Sequence, residues 1–209
     1  FKDDHLRENP RRLGRRPFDS QVHIYDCDRP EMIPLLQEIR ALLDSYPERY
    51  AVGETFLSTT PKAAGYARPG LLHAAFDFSF LQCKWDPAAF LKTIQAIDSQ
   101  YSQDGWPTYV LGNHDVDRIA ARYGRGEDDE RLKVLAALLL TLRGTPCLYQ
   151  GEEIGMRNVH VPRGEMKDPV GLRYWPIPVG RDGERSPMQW SGGANAGFTS
   201  GTPWMRLHA

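Results

Sequence analysis

The sequence predicts an α/β protein built around a parallel sheet, and three observations carry that prediction. Short apolar runs with β-sheet preference alternate with longer runs of helical periodicity. Three of the four candidate strands run straight into a glycine followed by polar side chains: Gly53-Glu54, Gly112-Asn113-His114-Asp115 and Gly151-Glu152-Glu153. Parallel β/α folds gather their chemistry at such places, because the loops after the strands open on one face. The composition is that of a globular domain, with 209 residues, 41% hydrophobic, and 26 Lys+Arg against 27 Asp+Glu, enough for one substantial core. Closed barrels and doubly wound sheets share the strand-end placement, so position alone leaves both open.

Residues 1–30 are rich in Arg, Asp and Pro and read as a loop. Asp28 stands as the N-cap of a helix over 30–45, with Pro30 in its first turn. Ile33, Leu36, Ile39, Leu42 and Leu43 recur along it at helical spacing, and Pro34 is tolerated near the first turn. Tyr50-Ala51-Val52-Gly53 is a short strand ending at Glu54. After a Pro/Gly loop, residues 71–80 read as a strand carrying Phe76, Asp77 and Phe78. A helix opens at Asp86-Pro87 with Phe90, Leu91, Ile94 and Ile97 on one face, and Thr108-Tyr109-Val110-Leu111 is the next strand. A charged turn leads to a helix over 130–143, apolar enough to be well buried and closed by Gly144 as its C-cap. Cys147-Leu148-Tyr149 makes the last strand. Beyond Ile154 the pattern changes, with Pro162, Pro169, Pro176, Pro178 and Pro187 interleaved with Gly, Trp and Arg and no repeat. A stretch of that length is expected to fold over a functional face.

Several function classes lose support at once. A formal net charge of −1 supplies no basic field for a phosphate backbone. The longest apolar run, 134–142, includes Thr141 and falls far short of the roughly 20 residues that span a bilayer. Residues 1–12 contain no apolar segment of the kind that directs secretion. Cys27, Cys83 and Cys147 lie far apart without a C-x-x-C pair, which favours reduced thiols in a cytoplasmic setting and gives metal binding little support. No G-x-G-x-x-G turn follows the first strand, so a nucleotide cofactor is not expected.

Glu54 combines a strand end, a preceding glycine and the following Thr55 and Phe56, a setting in which desolvation suits a carboxyl group to general-acid work. A solvated loop glutamate is the alternative. Asn113, His114 and Asp115 offer an amide, an imidazole and a carboxylate in consecutive positions, the mixed donors and acceptors that hydroxyl-rich ligands need. A capping Asn or Asp beside a structural histidine explains them equally well. Glu54 with Asp115 fits the two-carboxylate logic of glycoside cleavage. For Glu152 and Glu153 the favoured reading is structural, with one of them paired to an arginine of the tail. Tyr174, Trp175, Trp190 and Trp204 suit either stacking on sugars or packing of the loop.

Taken in order, Gly53-Glu54-Thr55-Phe56, Gly112-Asn113-His114-Asp115 and the run from Thr145 through Gln150-Gly151-Glu152-Glu153 to Gly155-Met156 closely resemble the α-amylase superfamily, the family 13 glycoside hydrolases. The tail Gly180-Arg181-Asp182-Gly183-Glu184-Arg185-Ser186-Pro187-Met188-Gln189-Trp190, with Ala196-Gly197-Phe198 and Pro203-Trp204, looks like the α-glucosidase and oligo-1,6-glucosidase branch. The resemblance implies a partial (β/α)8 TIM barrel, about strands five to eight, with a long loop-rich carboxyl-terminal tail. Residues 1–155 would be the second half of the catalytic domain. Residues 156–209 would lie over the active-site face and lead toward a carboxyl-terminal β domain.

The resemblance also implies roles. Glu54 matches the general acid/base, Asp115 the carboxylate that stabilises the transition state, His114 a hydrogen-bond donor to the same sugar, and Arg185 an arginine of the sugar subsite; Arg118 receives no firm role. The family's nucleophile sits in a G-F-R-x-D motif, which this chain lacks; Asp3 and Asp4 fall after it. The implied activity is therefore retaining hydrolysis of terminal α-glucosyl residues in short oligosaccharides or a disaccharide, with these 209 residues inactive alone. No cofactor is expected, and calcium is left open, since some family members bind it in regions lying upstream of this stretch. No nucleic-acid or membrane partner is expected, and the oligomeric state is left open. A transglycosylating relative, such as a trehalose-forming enzyme, and a non-catalytic member serving in binding or assembly are the alternatives.

Overall fold

Four strands lie side by side in chain order. In the computed structural model, which describes residues 8–14, 20–55, 60–101, 105–124, 126 and 129–208, β1 (Val52–Gly53), β2 (Ala74–Asp77), β3 (Thr108–Val110) and β4 (Thr145–Cys147) form one sheet. Every pairing is parallel, with Val52 opposite Ala74, Phe76 opposite Thr108 and Val110 opposite Cys147. Doubly wound sheets reverse their strand order at a switch point. Sequential order without reversal is the arrangement of a barrel wall.

The helices are α1 (Met32–Asp44), α2 (Thr60–Tyr66), α3 (Pro87–Gln100), α4 (Ile119–Tyr123), α5 (Glu130–Thr141) and α6 (Pro169–Tyr174). Side chains alternate across a strand, so the register puts Ala75, Asp77, Tyr109 and Leu111 on one face of the sheet and Phe76, Val110 and Cys147 on the other. The first face builds the core. Ala75, Tyr109 and Leu111 pack with Phe80, Phe90, Ile97, Tyr123, Leu132, Leu135 and Leu139 from the helical layer.

α3 forms as its residues dictate, with the Asp86 carboxylate accepting from the Ala88 N–H at 3.1 Å and Pro87 at the first position. Phe90 and Ile97 are buried, whereas Leu91 is exposed. Other expectations need correction. Asp28 does not cap α1: its backbone is left-handed (φ 50°) and its side chain accepts from the Tyr66 hydroxyl at 3.0 Å. Only Leu36 of the α1 apolar face is buried, while Ile39 and Leu42 stay exposed. α5 buries Leu132, Leu135 and Leu139 but turns Val134 and Leu140 to solvent.

The strand expected over 71–80 is shorter, because Asp77 Oδ1 takes the Ser79 N–H at 2.9 Å and starts a 3-10 turn over Ser79–Gln82. β4 begins earlier than its apolar run suggests. Pro146 has no N–H for a ladder, yet it fits because β4 pairs only with β3 among the described residues. Gly144 is not a C-cap, a place that Leu142 takes. It lets the chain pass close to β3, where a Cβ would strike the Tyr109 ring and lie 2.8 Å from the Pro107 carbonyl oxygen.

No local pattern signals α2 or α4, each too short to display a period. The tail is likewise more ordered than a plain loop. It contains α6, 3-10 turns at Arg163–Glu165 and Ala194–Gly197, and a small apolar cluster of Val159, Val161 and Met205. No helix among the described residues is long and apolar enough to cross a membrane.

Candidate active site

Glu54 after β1 meets Asn113 and His114 after β3 at one pocket, which Asp115 itself does not line. Glu54, Asn113 and His114 line an open cavity of about 220 Å³ whose apolar wall includes Phe76, Phe78, Val110 and Tyr149. Phe76 and Val110 belong to the sheet face turned away from the helical core, so strand alternation explains both the core and the pocket. Glu54 itself is exposed, which corrects the expectation of an enclosed carboxyl group; Phe56, expected to lower the polarity beside it, lies outside the described residues, as do Asp3 and Asp4.

Asp115 sits in a tight turn after β3, in which its N–H donates to Asn113 Oδ1 at 2.9 Å. Two guanidinium groups from the tail converge on the same carboxylate oxygen. Arg185 Nη2 donates to Asp115 Oδ1 at 2.7 Å and Arg181 Nη1 at 2.8 Å. Arg185 Nε also donates to the His114 carbonyl at 2.8 Å, so the tail arginine fixes both the backbone and the carboxylate of this turn. His114 Nε2 lies 3.7 Å from Asp115 Oδ1 and its side chain is more than half exposed.

Arg181 is the residue that sequence reasoning missed. Its guanidinium grips the fully buried carboxylate of Asp168, with Nη2 to Oδ1 at 2.9 Å and Nε to Oδ2 at 3.2 Å, and its N–H adds a bond to Oδ2 at 2.9 Å. Burial pushes the Asp168 carboxyl up, but the hydrogen bonds from Arg181 and Val170 outweigh it and hold the group at about 2. The same carboxylate raises the pKa of Arg181. Asp168 before Pro169 is a visible helix-start signal, and it was the one sequence cue to this arrangement.

Glu152 and Glu153 do not pair with tail arginines. Glu152 Oε2 accepts from the Tyr149 N–H at 3.0 Å, while Oε1 packs where a side chain on Gly112 would lie. Burial pushes the Glu152 carboxyl up to about 7. Glu153 is exposed. The role of tying the loops together falls to Arg118, whose buried guanidinium donates to the Gln150 carbonyl at 2.6 Å and lies over the Tyr149 ring.

The aromatic residues of the tail do not line this pocket, and Trp175, Trp190 and Trp204 are exposed. Among the described residues, His23, Asp26 and Cys27 bring metal-ligand atoms within 4.8 Å of one another, a grouping the cysteine spacing did not suggest. Asp26 is already engaged, with His23 Nδ1 3.0 Å from its Oδ1 and Asn9 Nδ2 donating to its Oδ2 at 2.8 Å.

A family model described as alpha amylase, catalytic domain, matches residues 3–209. The chain belongs to the α-amylase family. Its tail lies inside the span matched to the catalytic domain. Among curated relatives of the family, the probable alpha-glucosidase of Rhizobium meliloti (strain 1021) is 35% identical over 223 residues, which cover 99% of this chain and 40% of the relative. The oligo-1,6-glucosidase of Parageobacillus thermoglucosidasius is 34% identical, over 88% of this chain and 39% of the relative. A crystal structure of an alpha-glucosyl transfer enzyme superposes with a TM-score of 0.90 at 37% identity, covering all of this chain and 41% of that one. An isomaltulose synthase of Erwinia rhapontici NX5, a mutant solved with its natural substrate sucrose, superposes with a TM-score of 0.71 at 27% identity, covering 86% of this chain and 38% of that one. The chain thus spans about two fifths of the length of the relatives it matches. Their agreement in fold places its parallel sheet as part of a TIM barrel.

Proposed function

We propose that this chain supplies the acid/base and sugar-holding side of a retaining α-glucosidase acting on terminal α-glucosyl residues of short oligosaccharides. The observation that carries the reading is that Glu54, Asn113 and His114 line one pocket, with Asp115, next in the same turn, held by two tail arginines. Glu54 protonates the leaving oxygen as the glycosidic bond opens and then deprotonates the incoming water. Asp115 accepts hydrogen bonds from sugar hydroxyls, which strengthen as positive charge develops on the ring. His114 donates to the same sugar, and Arg185 keeps the turn in place. A retaining reaction also needs a nucleophilic carboxylate about 5–5.5 Å from the acid/base, and no residue here occupies the family's motif for it.

The test is p-nitrophenol release from its α-glucoside by residues 1–209 and by the natural full-length polypeptide. Turnover only by the longer form, abolished in Glu54→Gln, is expected; turnover by residues 1–209 alone overturns the missing-nucleophile reading. A second reading, glucosyl transfer to another sugar, is favoured by the similarity to the alpha-glucosyl transfer enzyme. With maltose or sucrose as substrate, free glucose marks hydrolysis and a new disaccharide or trisaccharide marks transfer.

A further inference from the structure

The tail devotes an unusual amount of buried polar structure to one arginine. Asp168 is removed from water and carries charge, which is costly unless the charge is paired and hydrogen-bonded. It takes the Nε and Nη2 edge of Arg181 in a two-bond fork. A planar guanidinium gripped along one edge has its remaining nitrogen aimed, and that nitrogen, Nη1, donates to Asp115 Oδ1.

The support continues outward. The Asp182 carboxylate accepts from the N–H groups of Lys167 and Asp168 at 3.0 and 2.9 Å, and Asp168 caps α6 through the Val170 N–H. Gly171 and Gly180 approach so closely that a Cβ on either would lie 2.9 Å from the Cα of the other. These contacts fix the segment carrying Asp168 against the one carrying Arg181. Both tail cations occupy Asp115 Oδ1, and no donor among the described residues reaches Oδ2.

We infer that Arg181, locked by the buried Asp168, is a positioning residue that holds Asp115 with Oδ2 open to substrate hydroxyls. The inference rests on the proposed role of Asp115. Arg181 does not itself bind the sugar in this arrangement. It fixes the rotation of the carboxylate that does.

The experiment compares R181Q, R181K, D168N, D115N and R181Q/D115N in the natural full-length polypeptide, using p-nitrophenyl α-glucoside. R181Q is expected to lower kcat about a hundredfold, the scale on which a displacement of about 1 Å acts, with a much smaller change in KM. R181K restores little, because an ammonium group cannot fork to Asp168 while reaching Asp115. Adding R181Q to D115N costs almost nothing further. A kcat for R181Q close to that of the parent, or losses for R181Q and D115N that multiply, overturns the inference. If the parent shows no α-glucosidase activity, the functional reading fails separately. The hold is then measured by a double-mutant cycle on urea midpoints with R181Q and D115N: coupling between them supports it, and additivity overturns it.

Discussion

Among the described residues, three carboxyl groups are moved well away from their ordinary range, and they pull in opposite directions. Burial pushes Glu152 from 4.5 to about 7 and Glu184 likewise, with the charges of Asp117 and Asp168 adding to burial at Glu184 and Arg185 opposing it. A carboxyl raised in the folded state binds its proton where the unfolded chain has lost it. The stability that Glu152 and Glu184 contribute is therefore full below about pH 4.5 and is lost as pH rises through about 7. Asp168 behaves oppositely: its contribution is present above 3.8 and is lost as pH falls toward about 2. The double substitution Glu152→Gln, Glu184→Gln is expected to flatten the fall in thermal midpoint between pH 5 and 8. Curves parallel to the parent's across that range would show that these carboxyls are not raised.

At the scale of elements, the loops after β3 and β4 and the tail are joined through Arg118. Its N–H donates to Asn158 Oδ1 at 2.9 Å and its guanidinium to the carbonyls of Gln150 and, at 3.5 Å, Ser186. Burial lowers the pKa of this guanidinium, yet the nearby Tyr149 ring and carbonyl oxygens give it partners. Truncation to alanine leaves the Gln150 carbonyl without this donor, a cost of about 1–3 kcal/mol, and opens a cavity besides. Arg118→Ala is expected to lower the urea midpoint. It should also speed proteolytic cleavage within residues 157–190 relative to the rest of the chain. Unchanged cleavage there, with only global destabilisation, would mean that the tail is held by other contacts such as Tyr149 Oη to the Glu184 carbonyl at 3.1 Å.

For the molecule as a whole, the sheet has two outer strands whose far edges pair with nothing among the described residues. Unpaired edges invite further strands. Val52 on β1 and Leu148 just after β4 are exposed apolar side chains at these outer strands, and Ile39 and Leu42 are exposed on α1. In relatives more than twice as long, the matched segment is part of a larger chain. Residues 1–209 alone are expected to self-associate, with a light-scattering mass that rises with concentration. A monomer across the whole concentration range would show that these edges are protected.

The sequence alone was enough to determine the alternation of strands and helices, the α3 cap at Asp86, and the strand-end positions of Glu54, His114 and Asp115. Those signals are local: periodicity, a capping side chain before Pro87, and a glycine where a strand must turn. Local pattern left barrel and doubly wound sheet open and the motif resemblance implied the barrel, but strand order itself, a matter of which distant segments pair, is visible only in three dimensions. The exposure of Glu54, the inward turn of Glu152 against Gly112 and the left-handed Asp28 were also decided there. Arg185 was found by its motif, but the partnership of Arg181 with Asp168 and Asp115 spans 13 and 66 residues of chain. No local pattern encodes such a bond; it exists because the tail folds back until a buried carboxylate and its guanidinium satisfy one another.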